Sequence, residues 1–519
     1  MSAKQKLGSF VEKNCRWLTA LLVALFPIVL CVITCLIDGK GLFDVYIPAS
    51  TWNDELYYYK LVEAILEHGY PRGYYGFNES HAQYLSFAAW SPVLLLPWVI
   101  WGFLFGWNFL SPILCNLFLI CLAIFIFVYV TKPKKWQLVS LMGMLAVFTP
   151  LVRYTFACMP EITCFFLIIV FLAAAISYCD KQKNYKLVIM LLLSALATLM
   201  RPYFILFMVL PGYYLVKRRK VLGSIITLGS MGITGVIYAV IKVFLGAEYF
   251  TVLFNTDWVT TFFTQGFFAG IKFTLYKIFD VGIMFTRMLI ESFISGLPAG
   301  ALFAAFVLIF VFIIMTAVSK VKAKDKYTSV YVHFAFCTFG MWMALLLMYK
   351  MTEGSKHLSA FIVTGILLLA LVPVKQWYKW VVTILMCGYL FIVMANEPVN
   401  YDIPYKTEEL ESTLLTLENE LKENMETSDI VPSFENDIIW VFSDEVDGEV
   451  IQLAWQMLYV VPDEFGINLC YGDYILENFD ELKCHYIATI PDGKIEEKLK
   501  ENGNTLIAEN ECISVYELR

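Results

Sequence analysis

Charge is scarce in this 519-residue chain: Asp, Glu, Lys and Arg make up 16% of it, against 59% hydrophobic residues. Soluble proteins carry about 25% charge, so a soluble enzyme is excluded. Ten of the thirteen cysteines, Cys15 to Cys387, lie in or beside apolar runs without CxxC or Cys/His spacing. They offer no zinc signature and read as small core residues. No small-residue cleavage site follows the first apolar stretch, Trp17–Ile37, which is also too long for a signal-peptide core. It reads as a retained first span. No motif gathers three or more carboxylates, so neither a metal nor another cofactor is expected.

The charge that is present is unevenly divided. Residues 396–519 hold 7 Lys and Arg against 29 Asp and Glu, whereas residues 1–395 hold 31 against 16. The pattern predicts a basic membrane part, 1–395, followed by a small acidic soluble domain, 396–519. Besides the first span, apolar runs at 109–130, 137–152, 162–179, 187–200, 203–216, 221–246, 297–318, 327–349, 358–373 and 380–395 give a polytopic α-helical membrane protein of about eleven spans. Pro92–Phe105 is ambiguous, and basic residues decide its reading. If it lies along the membrane surface, the six inward segments carry 20 Lys and Arg, and the outward segments carry 10 in about three times the length. That is the inward bias expected of a membrane protein. The N-terminus is then cytoplasmic, and residues 38–108, 247–296 and the acidic domain are extracytoplasmic.

Some spans are short. Leu187–Met200 reaches ~21 Å of a ~30 Å hydrocarbon core, which sinks Arg201-Pro202 below the outer surface. Leu358–Pro373 is short too and follows Lys356-His357. Charge at that depth is costly in lipid, so a water- or ligand-filled cavity open to the outside is expected. In the first outer loop, Tyr58, Leu61, Val62, Ile65 and Leu66 mark one face of a helix that Gly69 ends, with Asp54 and Glu55 in its first turn. Those carboxylates suit the helix dipole and equally suit acid–base chemistry. Glu79, in Asn78-Glu79-Ser80-His81, could supply a further acid, or belong to a solvated loop. Arg153, Glu161 after Pro160, Arg201, Lys350, Glu353, Lys356 and His357 share the outward side, each alternatively an interfacial anchor or ion-pair member.

In layout and short motifs, residues 1–395 resemble the GT-C class of membrane glycosyltransferases that use polyprenyl-phosphate sugars, the protein O-mannosyltransferase and lipid A aminoarabinose transferase families. The matching features are Asp54-Glu55 at the head of a helix in the first outer loop, the surface-lying Pro92–Phe105, Glu161 after a proline at the start of the fourth span, Arg201 at the end of the fifth, and the basic pair Lys356-His357 before a late span. The sequence departs from some members at Glu79, which Ser80 follows where they carry lysine. The resemblance implies an inverting glycosyltransferase of the bacterial plasma membrane. It would move a sugar from a polyprenyl-phosphate donor in the bilayer to an extracytoplasmic acceptor, with no nucleic-acid partner. Asp54 would be the base, with Glu55, Glu79 and Glu161 as helpers, and Arg201, Lys356 and His357 would hold the donor phosphate. A transporter or flippase of lipid-linked sugars is the alternative, since it too needs buried charge and many spans.

The fourth outer loop, rich in Phe from Phe250 to Phe268, is expected at the interface. The acidic tail reads as a small α/β domain: a helix at Thr407–Met425, strands at Ile438–Phe442, Tyr486–Ile490 and Ile513–Leu518, and helical patterns near 449–459 and 494–501. Asp444-Glu445 reads as a solvated acidic face, and Cys470 and Cys484 could pair outside the cell. The topology has a direct check. With native reactive thiols removed, a cysteine placed at 519 should react with an impermeant maleimide in intact cells, and one placed at 132 should not. Labelling at 132 would mean that Pro92–Phe105 crosses the membrane.

Overall fold

The computed structural model describes residues 15–46, 53–71, 91–245, 257–295, 298–348, 351–372, 380, 403, 405–427, 437–442, 454, 456–462 and 465–518. Five helices among them are long and apolar enough to cross a bilayer: Cys15–Ile37 (α1), Ser111–Thr131 (α4), Glu161–Asp180 (α7), Lys220–Leu245 (α10) and Thr328–Met348 (α14). Between α1 and α4 lie Asn53–His68 (α2) and Leu96–Phe105 (α3). At ten residues, α3 reaches ~15 Å, too short to cross a hydrocarbon core. The expected span 137–152 is divided into Lys135–Ala146 (α5) and Pro150–Thr155 (α6). Pro150 opens α6, and lacking an N–H it cannot continue the hydrogen-bond ladder of α5. The span expected at 380–395 lies outside the described residues, apart from Trp380.

Asn184–Met200 (α8) begins three residues before the apolar run, because Asn184, Tyr185 and Lys186 complete its first turn. Lys186 returns its ammonium to Ser177, 2.7 Å from the carbonyl and 2.6 Å from the hydroxyl. A 3₁₀ segment, Pro202–Met208, leads into Val209–Arg218 (α9). The stretch 247–296, expected to be an aromatic outer loop, contains the helices Asp257–Thr264 (α11) and Phe267–Ser295 (α12). They fold back on each other at Gly266, whose φ of +91° a side chain would strain. Lys272, Lys277, Asp280, Arg287 and Glu291 interrupt the apolar run of α12, so composition alone conceals a 29-residue helix. Pro298–Lys322 (α13) and Met351–Ala370 (α15) complete the helical part. α7 is its axis, packed against α4, α8 and α15, and most of its side chains are buried.

The acidic tail opens with Glu408–Thr427 (α16), which buries Leu414, Leu417 and Leu421 along one stripe. A mixed five-stranded sheet follows, in the order β2-β1-β3-β5-β4. Its strands are β1 (Asp437–Phe442), β2 (Gly466–Tyr471), β3 (Tyr486–Thr489), β4 (Thr505–Glu509) and β5 (Ser514–Glu517). β1 runs parallel to β2 and β3, and β5 antiparallel to β3 and β4. The sequence marked β1, β3, β5 and the helix at Lys494–Glu501, but not β2 or β4. Cys470 and Cys484 are buried in one apolar cluster of this domain. Asp444 and Glu445 lie outside the described residues.

Two links hold the sheet domain on the face where α1 ends and α2 lies. Val45 bridges Tyr405, whose hydroxyl donates to Asp38 at 2.7 Å. Lys60 on α2 donates to the Val461 carbonyl at 2.6 Å. This second link corrects the reading of α2 as a helix with one apolar face. Glu55 to Val62 are all buried, because Tyr59 meets Tyr459 edge-on at 5.2 Å and the sheet domain covers the side expected to face water. Close helix contact elsewhere depends on Gly223, where an added Cβ would come within 2.4 Å of the Leu215 backbone on α9. Gly223→Ala should therefore cost ~1–3 kcal/mol, the range for overpacking, and lower the melting temperature of the purified protein. Gly229→Ala, with open space around it, should not.

Candidate active site

Prolines determine where two of the site's charges stand. Pro160 caps α7, so Glu161 occupies its first turn, where the helix dipole favours a carboxylate. Pro202 disfavours helical backbone at the residue before it, and Arg201 accordingly ends α8 in an extended conformation, φ −145° and ψ 117°. There its guanidinium donates from Nη2 to Glu161 Oε1, and both side chains are sealed from water, at 2% and 0% exposure. Its Nη1 lies 3.4 Å from the Tyr203 hydroxyl, which in turn is 3.0 Å from His357 Nδ1.

A second pair joins α2 to α15. Lys356 Nζ lies 2.7 Å from Asp54 Oδ2, and each side chain keeps 15% exposure. Lys356-His357 was expected ahead of its helix. Instead α15 starts at Met351 and carries both residues in its second turn, because the helix continues through polar residues that the apolar run does not mark. Glu55 is fully enclosed. Burial raises its carboxyl well above the usual range, opposed by Arg153 and reinforced by Asp54 and Glu161. Its protonated form is thereby favoured, beside an Asp54 that is ion-paired.

Six of the seven site residues read from the sequence thus meet at one end of the helical part: Asp54, Glu55, Glu161, Arg201, Lys356 and His357. Arg153 faces Glu55 electrostatically. Glu79 lies outside the described residues, as does Lys350, and the Glu353 side chain is likewise outside the description. Among the described residues no three His, Cys, Asp or Glu side chains gather as metal ligands. Three buried polar atoms of the cluster have no hydrogen-bond partner there: Glu55 Oε2, Glu161 Oε2 and Arg201 Nε. Buried polar atoms are ordinarily satisfied, so donor and acceptor capacity is left for another molecule.

The sequence reading missed Asn116, a lone amide inside the apolar α4. Its Oδ1 accepts from Trp98 Nε1 at 3.2 Å, and its Nδ2 donates to the carbonyls of Tyr154 at 3.2 Å and Ala157 at 2.8 Å. It ties α3 to the segment that leads into Pro160-Glu161. The only hint in the sequence is the polarity of one residue within a span.

No family model and no curated protein sequence matches the chain. Among solved structures it is similar to the archaeal oligosaccharyltransferase AglB from Archaeoglobus fulgidus, in complex with an inhibitory peptide and a dolichol-phosphate. That match has 11% identity over 92% of this chain and 69% of that one, with a TM-score of 0.47. It is also similar to ArnT from Cupriavidus metallidurans bound to undecaprenyl phosphate, at 10% identity over 95% of this chain and 97% of that one, TM-score 0.41. The apo form of ArnT matches over the same shares, at 11% identity and a TM-score of 0.39. Likenesses at this level do not identify a reaction.

The Glu161–Arg201 pair makes a prediction about stability. Removing one partner of a buried ion pair leaves an uncompensated charge and costs about 3–5 kcal/mol. Glu161→Gln should lower the melting temperature sharply, and the double variant Glu161→Leu/Arg201→Met should recover most of the loss. Normal melting of Glu161→Gln would mean that Arg201 does not depend on it.

Proposed function

We propose that this protein is an integral membrane glycosyltransferase that moves a sugar, with inversion, from a polyprenyl-phosphate donor to an extracytoplasmic hydroxyl acceptor. The observation that carries the proposal is the Asp54–Lys356 pair, with a small exposed fraction, standing beside the fully buried Glu161–Arg201 pair. An alcohol is a poor nucleophile and needs a base within hydrogen-bond reach. A phosphate leaving group needs cations that grip it more tightly as its charge grows. Donor phosphate takes Lys356 away from Asp54, and Asp54 is released to accept the acceptor's proton.

The acceptor oxygen then attacks the anomeric carbon from the face opposite the phosphate. The bond from that carbon to phosphate oxygen breaks, its electron pair leaves with the phosphate, and the proton passes from Asp54 to water. Lys356 meets the new charge as a point cation, and Arg201 adds its unused Nε–H. His357, through Tyr203, fixes the orientation of Arg201. Glu55 serves as a helper on the acceptor side, and Glu161 holds the Arg201 guanidinium in place. The site faces outward with the N-terminus cytoplasmic, in a bacterial plasma membrane. A lipid-carried donor follows from that orientation, since nucleotide sugars are cytoplasmic.

Purified protein supplied with a polyprenyl-phosphate sugar tests this reading, with transfer followed by mass spectrometry of the acceptor. Asp54→Asn should lower transfer by ~10²-fold or more while donor binding is kept. Arg201→Lys, which keeps the charge and loses the Nε–H, should lower turnover by about 30-fold with melting intact. Normal turnover in Asp54→Asn would remove Asp54 as the base. Movement of intact lipid-linked sugar across vesicles without transfer would replace the enzyme with a flippase.

A further inference from the structure

A second site lies at the other end of the helical part. A cleft of about 860 Å³ opens between the end of α7, the length of α9 and the beginning of α14. Cys179 on its wall is 18 residues beyond Glu161 on the same helix, or ~27 Å at the α-helical rise. The cleft is therefore separate from the carboxylate–arginine cluster. We infer that it binds one anionic phospholipid, with the headgroup phosphate on Lys217 and Arg218 and an acyl chain along the facing surfaces of α9 and α14.

Charge is the first ground. The lip holds Lys217, Arg218 and Lys326 with one acid, Asp325. Asp325 already pairs with Lys320 at 3.1 Å, and Lys326 with Asp180 at 2.5 Å. Lys217 and Arg218 have no acidic partner among the described residues. Arg218 donates instead to neutral acceptors, the Asn184 side chain and, at 2.8 Å, the Gln182 carbonyl. Those bonds orient the guanidinium without neutralising it. The surrounding segments 180–186, 217–220 and 319–326 hold eleven basic residues against Asp180 and Asp325. Such basic pockets between membrane helices suit anionic headgroups.

The second ground is the gradient beneath that lip. Ser329, Val332 and Phe336 recur at i, i+3 and i+7 on α14, so one face passes from polar to apolar in two turns. Val209 across the cleft, Val332 and Phe336 are 37%, 45% and 47% exposed. The tyrosines at the mouth have apolar bodies and polar tips, as side chains of the membrane interface do. Lys217 lies over the Tyr213 ring and Arg218 over that of Tyr178, at 5.9 and 5.3 Å. A soluble phosphate would use only the cationic lip. An apolar floor directly beneath it fits a phosphate that carries a chain.

The test uses the full-length protein in neutral detergent, titrated with dioleoyl phosphatidylglycerol, dioleoyl phosphatidylcholine or glycerol phosphate and read by native mass spectrometry. One phosphatidylglycerol should be retained, at least about tenfold more tightly than phosphatidylcholine, and glycerol phosphate should not displace it. Lys217→Gln/Arg218→Gln should weaken retention by about 30-fold, and Lys217→Gln alone by about fivefold. The single variant keeps the test valid if the double variant melts early, because Arg218 also joins segments. Val332→Trp fills the apolar floor, leaves both cations in place, and should cost at least about fivefold. Equal retention of the two lipids, or unchanged retention in the variants, would overturn the inference. Displacement by glycerol phosphate would assign the cleft to a soluble phosphate and overturn the lipid.

Discussion

A guanidinium withdrawn from water at the end of α8 needs a counter-charge, because an unpaired buried ion costs several kcal/mol. Arg201 meets that need through Glu161, and the pairing fixes where α8 may stop relative to where α7 begins. Two prolines make those positions definite in the chain itself, one capping α7 and the other turning the backbone after α8. Through Tyr203 the same guanidinium reaches His357, and so the second turn of α15. Lys356, one residue earlier, extends the chain of contacts to Asp54 on α2. The elements α2, α7, α8 and α15 are thus brought into register by these contacts, and the apolar packing of α4, α7, α8 and α15 is compatible with that register.

Much of this was legible beforehand, for definite reasons. Arg201-Pro202 and Pro160-Glu161 announce themselves because proline restricts its neighbours wherever it stands. The short β-branched and aromatic runs of β1, β3 and β5 and the amphipathic pattern of Lys494–Glu501 are local signals of the same kind. Other features depend on the rest of the molecule. Nothing in Tyr57, Tyr59 or Lys60 says that a second apolar surface will close over α2, since residues near 459 supply it. The charges of α12 conceal a long helix from any reading based on apolar length. The start of α15 was misplaced because the edge of an apolar run marks where lipid contact ends, while helical backbone continues through polar residues.

The two ends of the helical part are chemically unlike. At one end acids and bases are balanced and enclosed, with single spare hydrogen-bonding positions on Glu55, Glu161 and Arg201. At the other the charge is overwhelmingly basic and lies on the rim of an open cleft. Balanced enclosed charge can be neutralised or redistributed by a bound group, which is what a reaction site requires. Unbalanced exposed charge acts as a steady attraction for a negatively charged surface.

The clasp between Lys60 and the Val461 carbonyl also bears on how the protein is made. The bonded residues are 401 positions apart, so α2 leaves the ribosome long before the segment that covers it exists. A nascent chain with its membrane helices already inserted would still leave Tyr59 and Lys60 without their cover, and the helix that carries Asp54 would be held on one side only. Enclosure of α2 therefore waits until the segment around Val461 has been made. A product cut short before Tyr459 would keep its long apolar helices and lack the cover of the helix that carries Asp54.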